Sequence, residues 1–425
     1  MMKPTTSTPF TGYQKTVIFM LAMTQFTVIL DFMIMSPLGD MLMKSLSLTP
    51  AKFGVAVSAY AFSAGASGLL TAGFADKYDR KKLLLFFYIG FIIGTIACGL
   101  AHTYTFLLAA RIVTGLFGGV IGSISMAIVT DLFALQQRGR VMGFLQMGFG
   151  ASQVLGVPIS LWLANYWGWE APFMLTAGVA VVVAIVILLK MKPVREHLAL
   201  QHDRSAVAHL WSTVAKRDYR IGFTATALLS IGGFMMMPFG SAFAINNLGV
   251  TPERLPFLFM ISGVCSLLIM PIIGKLSDKI SKFKLFAFAS IWMMVVCVLY
   301  TNQSNIPFGL VIIFNIVMMM GIMGRMVPSV ALTSAIPDMA DRGAFMSINA
   351  SLQQIAGGVA AAISGMIVVQ KTKFSPLEHY DTVGYVIVAV SLLGIILMYR
   401  VSNMIGKRAA QAPVKNEDVM SAEHI

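Results

Sequence analysis

Long apolar blocks alternate with short polar connections along almost the whole chain. They lie near residues 16–42, 53–75, 83–101, 104–134, 141–164, 171–190, 221–246, 256–274, 284–301, 306–334, 344–370 and 382–402. Each can cross a hydrocarbon core about 30 Å thick as a helix rising about 1.5 Å per residue. The first block is too long for a secretory signal peptide and has no cleavage site. The pattern predicts an all-α membrane protein with twelve transmembrane helices.

Composition supports this. The 425 residues are 57% hydrophobic and 12% charged, against roughly 25% charged in soluble domains. A net charge of +13 would suggest nucleic acid as the partner of a soluble protein, but here the charges sit between the blocks. Lys and Arg concentrate in the cytoplasmic loops of membrane proteins. Counted on alternate connections from a cytoplasmic N-terminus, 24 of the 31 Lys and Arg lie inside. Five lie outside (Lys44, Lys52, Arg254, Lys371 and Lys373), and Arg111 and Arg325 fall within blocks. Both termini are therefore expected in the cytoplasm. The bilayer is an expected partner and nucleic acid is not.

Several function classes drop out. Cys98, Cys265 and Cys297 lie in apolar blocks, which leaves no disulfide framework and no metal quartet. No G-x-x-x-x-G-K-[ST] loop occurs, so ATP is not expected as a direct energy source. No Ser-His-Asp set supports an enzyme, and neither a cofactor nor a metal is expected.

The chain also repeats itself. Thr49-Pro50 and Asp76-Lys77 recur as Thr251-Pro252 and Asp278-Lys279 at an offset of 202, which also pairs Arg80 with Lys282. Arg138-Gly139 matches Arg342-Gly343 at an offset of 204. Six spans separate equivalent positions, so the two halves share one orientation, as in a rocking secondary transporter. The expected units are a bundle at 1–190, a cytoplasmic linker at 191–220, a bundle at 221–402 and a disordered tail at 403–425. Within the linker, Leu210, Trp211 and Val214 fit one face of a short surface helix.

These repeated residues also carry a family resemblance. AGFADKYDRKK (72–82) resembles motif A of the major facilitator superfamily, G-x-L-A-D-R-x-G-R-K, and GKLSDKISKFK (274–284) resembles its second-half copy. Arg111 with Gly115 and the glycines after it resembles motif B. LGVP (155–158) resembles the motif C region of twelve-span proton-coupled exporters, in the form typical of sugar or arabinose efflux permeases. The resemblance implies the major facilitator fold. It further implies alternating access and a cytoplasmic gate built from Asp76, Arg80, Asp131 and Arg138, with Asp278 and Lys282 as the second copy. Asp79 departs from the pattern by replacing the second glycine of motif A, which weakens the case for a left-handed turn there. After Pro158, Ile159-Ser160-Leu161-Trp162 lacks the expected double glycine, which puts motif C's close helix packing in question.

An uncompensated charge at the bilayer centre costs about 2.5–3.5 kcal/mol even on the mildest scale. Only Asp31, Arg111 and Arg325 lie well inside blocks. Asp31 lies about 22 Å from the inner side of its span and Arg111 about 21 Å, so the two are level. Three readings stand: a static tie between spans 1 and 4, a coupling site where a proton or cationic substrate competes with the arginine, or a lipid-facing Asp31. The static tie, a coupling role and a lipid-facing Asp31 make different demands on the fold. Asn315 is the repeat counterpart of Arg111; Arg325 either lines the cavity or snorkels to the interface. Gln146 and Gln153 on span 5, and Asn349 and Gln353 on span 11, follow helical spacing and could line a wet cavity or bond neighbouring helices. Gly115, Gly119, Gly156 and Pro158 read as packing positions. The function expected is proton-driven efflux of a small organic molecule by a monomer in a bacterial-type inner membrane. Proton-coupled uptake is the nearest alternative, and a membrane nutrient sensor a more distant one.

Overall fold

The computed structural model describes residues 9–71, 77–196, 198, 206–338 and 341–411. Among the described residues, twelve helices are long and apolar enough to cross a membrane. Spans 1 to 6 are Gly12–Ile34, Pro50–Thr71, Arg80–Gly99, Tyr104–Leu132, Gln136–Trp167 and Glu170–Lys190. Spans 7 to 12 are Arg217–Asn246, Pro252–Lys279, Lys282–Thr301, Phe308–Thr333, Arg342–Ile367 and Tyr380–Arg408. They form two six-helix parallel repeats. Large apolar side chains such as Leu70, Leu189, Phe288 and Met366 stand exposed on the outside, as a lipid-facing surface requires.

With an even number of spans, both chain ends lie at one end of the bundle. At the opposite end the two halves are fastened together. Span 1 does not continue through the apolar block 16–42 but stops at Ile34, and a short helix, Gly39–Ser45, follows. Pro37 lacks the N–H that would continue the ladder. Span 7 breaks in the same way after Phe234, passes through a turn at Met237–Phe239 and resumes at Gly240–Asn246. The two breaks are sequence copies, Met35-Ser36-Pro37-Leu38-Gly39 and Met236-Met237-Pro238-Phe239-Gly240, offset by 201.

The carbonyls at these breaks, which also accept local backbone bonds, bond across the halves. Ser36 Oγ donates to Met237 O, and Ser241 Oγ donates to Ser36 O at 2.8 Å. Asp40 accepts from Asn246 Nδ2 at 2.6 Å and from Lys44 Nζ at 2.7 Å, and Lys373 Nζ reaches Lys44 O at 2.9 Å. The apolar cores follow the same division. One cluster joins Ile34, Leu42 and Phe53 to Phe239, Phe243 and Tyr380 at the fastened end. Toward the termini there are two clusters, one around Val17, Leu84 and Ile128, the other around Tyr219, Phe223 and Phe345.

Spans 2 and 11 run antiparallel across the halves. A Cβ on Gly54 would lie 2.7 Å from Ala361 O, so only glycine permits this approach, and Ser58 Oγ donates to Gly358 O at 2.7 Å beside it.

One loop reading holds and one expectation changes. Asp79 has φ −56° and ψ 121°, so it takes no left-handed turn. It caps span 3 by accepting from Lys81 N at 2.9 Å. It also holds the linker, accepting from Val194 N at 3.3 Å and from Arg195 Nε at 2.7 Å. Burial alone would raise its carboxyl pKa, but the bonds from Arg195, Val194 and Lys81 outweigh this and hold it below the usual carboxylate range. The helix of span 12 continues to Gln411, so 403–411 is helical. Arg408 explains this by bonding Ile336 O and Asp218 Oδ2, each at 2.7 Å. The linker helix Ala206–Ala215 forms, with Leu210 packed on the second half and Trp211 turned outward.

Candidate functional site

The first-half site begins with glycines on span 4. A Cβ on Gly115 would lie 2.4 Å from Tyr60 O, and one on Gly119 would lie 2.5 Å from Ala64 Cα. Their absence lets span 4 lie directly on span 2. That approach seats the Arg111 guanidinium 4.5 Å from the centre of the Tyr60 ring.

Arg111 Nη1 donates to Asp31 Oδ2 at 2.9 Å, and both side chains are fully buried. Thr95 Oγ1 on span 3 donates to the other carboxylate oxygen at 3.2 Å. Arg111 Nε has no hydrogen-bond partner among the described residues. One carboxylate is thus held by spans 3 and 4, shielded by a tyrosine from span 2. Asp31 does not face lipid.

Span 5 supports the same point from the other side. Pro158 cannot donate to Val154 O, and the helix widens into a π turn over Ser152–Gly156 just before it. Ser152 Oγ donates to Phe26 O at 3.0 Å. A Cβ on Gly156 would lie 2.6 Å from Leu30 Cδ1, next to Asp31. Close packing at motif C therefore comes from Gly156 and the π turn, without the double glycine.

The expected cavity residues divide. Gln146 is exposed and Gln153 half-buried on a face of span 5 flanked by its contacts with spans 1 and 8. Asn349 is buried, and its Oδ1 has no hydrogen-bond partner among the described residues. Gln353 is exposed. Its neighbour Gln354 lines a cavity of about 20 Å³ between the halves, with Phe32, Ser36, Phe234 and Met237. Asn315 bonds its own helix at Val311 O, 3.0 Å away. Arg325 does not snorkel: it is 4% exposed, and Nη1 donates to Met293 Sδ at 3.0 Å and Ser391 Oγ at 3.5 Å. A helical side chain tilts toward the N-terminus of its helix, here the fastened end, which carries the guanidinium inward.

The gate residues are only partly brought together. Arg80 Nε pairs with Asp131 Oδ2 at 3.2 Å. Asp76 lies outside the described residues. Arg138 caps the end of span 4 instead of pairing with Asp131, bonding Phe133 O at 3.0 Å and Thr130 O at 2.8 Å. Asp278 is exposed, Lys282 is half-buried, and neither forms an ion pair among the described residues.

Sequence reasoning missed Tyr60, Thr95, Gln354 and the Asp40–Asn246 clasp. The clasp had a readable signal in the paired proline-glycine breaks; the other three did not.

Known proteins match along most of the chain. The sequence profile of the Major Facilitator Superfamily matches residues 21–361 and 222–419. An uncharacterized MFS-type transporter of Bacillus subtilis is 22% identical over 384 residues, covering 88% of this chain and 94% of that protein. A probable sugar efflux transporter of Helicobacter pylori is 25% identical over 268 residues, covering 63% of this chain and 66% of that protein. Among solved structures, a bacterial homolog of the human lysosomal transporter Spinster, inward-facing and unoccupied, superposes with a TM-score of 0.77. That match has 14% identity and covers 94% of this chain and 99% of the other.

Proposed function

Since this chain belongs to the major facilitator superfamily, whose members are secondary transporters and not enzymes, we propose that it exports a small organic molecule in exchange for protons. The observation that carries this reading is the buried Asp31–Arg111 pair, 2.9 Å apart, in which a proton can replace the arginine as partner of the carboxylate. The probable sugar efflux transporter among its relatives supports export as the direction.

In this reading the protein works as a monomer in the inner membrane. The basic connections put both termini in the cytoplasm, and the fastened end then faces outward. Residues 1–190 rock against 221–402, with 191–220 as the tether and 403–425 as a cytoplasmic tail. Arg80 and Asp131 belong to the cytoplasmic gate, and Gln146, Gln153, Asn349 and Gln353 line the path.

The test is uptake of a compound panel into proteoliposomes of known orientation under imposed pH gradients. An exchanger accumulates its substrate on the side from which protons leave. Accumulation on the side that protons enter would make the protein a symporter. Binding without flux would make it a sensor.

A further inference from the structure

The two halves each bury one arginine at the core, yet only the first half supplies a carboxylate. The copied proline-glycine breaks, offset by 201, align Asp31 of span 1 with Gly232 of span 7. Arg111 reaches Asp31 from span 4. Arg325 reaches the equivalent place from span 10: its Nη2 lies 3.6 Å from where a Cβ on Gly232 would stand. The repeat therefore brings a guanidinium to the same position in both halves, and in the second half that position has no side chain.

Arg325 is buried, and no carboxylate pairs with it among the described residues. Its recorded partners, Met293 Sδ and Ser391 Oγ, carry no charge, and a thioether is a weak acceptor. A buried guanidinium held this way lacks its counter-charge. Its planar fork of five donors matches a carboxylate best.

An approach exists. Gly233 is exposed and a Cβ there would meet nothing within 4 Å. The next residue, Phe234, lines the cavity between the halves. We propose that Arg325, with Gly232 leaving the space before it, is a binding site for a singly charged anionic group, and that the transported molecule carries this group as a carboxylate. Calling the anion a substrate group rests on the transport reading; the site itself does not.

Benzoate and benzamide are suitable probes because they share a shape and differ in charge. The readout is the unfolding temperature of the purified full-length protein in detergent. Wild type should rise by about 2 °C or more at saturating benzoate, with no rise in benzamide. Gly232→Ala should weaken the response, since its Cβ would stand 3.6 Å from Arg325 Nη2, in the space the anion needs, while its 3.4 Å contact with Ser391 Oγ is ordinary and leaves the fold intact. Gly232→Asp should abolish it by supplying an internal carboxylate, while unfolding without ligand at or above the wild-type temperature. Arg325→Gln should abolish it as well. If that variant does not fold, Gly232→Asp decides alone.

Equal stabilisation by benzamide, no response in wild type, or a full response in Gly232→Asp would overturn the site. Chloride at the same concentration separates the two sources of negative charge. No chloride response supports a carboxylated substrate, whereas a response equal to benzoate would overturn the substrate assignment. Because binding is read without flux, absent transport with an intact benzoate response would count against the transport reading alone.

Discussion

Arg111 and Arg325 occupy corresponding places in two copies of one plan, and they are satisfied in opposite ways. Arg111 meets Asp31 at 2.9 Å, with Thr95 completing the carboxylate and Tyr60 covering the guanidinium. Arg325 meets a thioether, a hydroxyl and the bare backbone of Gly232. The first arrangement has an acid that can change protonation state; the second has only a fixed positive charge. A duplicated fold can in this way divide its labour, with proton coupling in one half and substrate recognition in the other.

Breaking the first pair should have the largest effect. Arg111→Ala leaves Asp31 buried with only Thr95 as partner, which costs about 3–5 kcal/mol of stability. Arg325→Gln leaves no carboxylate behind and should stay within about 1 kcal/mol of wild type. Unfolding temperatures of the two purified variants check this, and equal losses would erase the distinction between the halves.

A smaller contrast concerns the gate. Asp131 pairs with Arg80 across spans 3 and 4, whereas Asp278 is exposed and pairs with nothing among the described residues. Asp131→Asn should slow transport several-fold, and Asp278→Asn should leave it within about twofold, since isolated exposed charges contribute little. Initial rates in proteoliposomes, corrected for the amount of inserted protein, separate the two. A larger loss from Asp278→Asn would reverse the assignment.

Much of this contrast was legible before any coordinates. Intramembrane charges are rare, so Asp31 and Arg111 stood out, and helix rise alone put them level. Thr95 and Tyr60 did not stand out, because an uncharged hydroxyl and an aromatic ring are ordinary in a span. Gln353 and Gln354 differ by one residue, about 100° around the helix, and register alone could not choose the one beside the small cavity. The break in span 1 stayed hidden because Met35, Leu38, Met41 and Leu42 keep the hydropathy high on both sides of Pro37. Asp79 stood out only as a departure from the motif that weakened a left-handed turn, while its role as a helix cap follows from the local physics of aspartate. Strict register matched Arg111 with Asn315, ten positions before Arg325. Ten positions are about 15 Å of helix rise, so the two arginines start from different depths, and sequence register does not show that both reach the level of residues 31 and 232.

The most direct test removes both charges of the first pair at once. Asp31→Asn/Arg111→Gln leaves neither partner buried alone, so the double variant should fold close to wild type. Transport driven by an imposed pH gradient in proteoliposomes should then be lost, while exchange of substrate for substrate across the membrane persists. Full proton-driven transport by the double variant would contradict Asp31 as the proton carrier and leave the pair as a structural tie between spans 1 and 4.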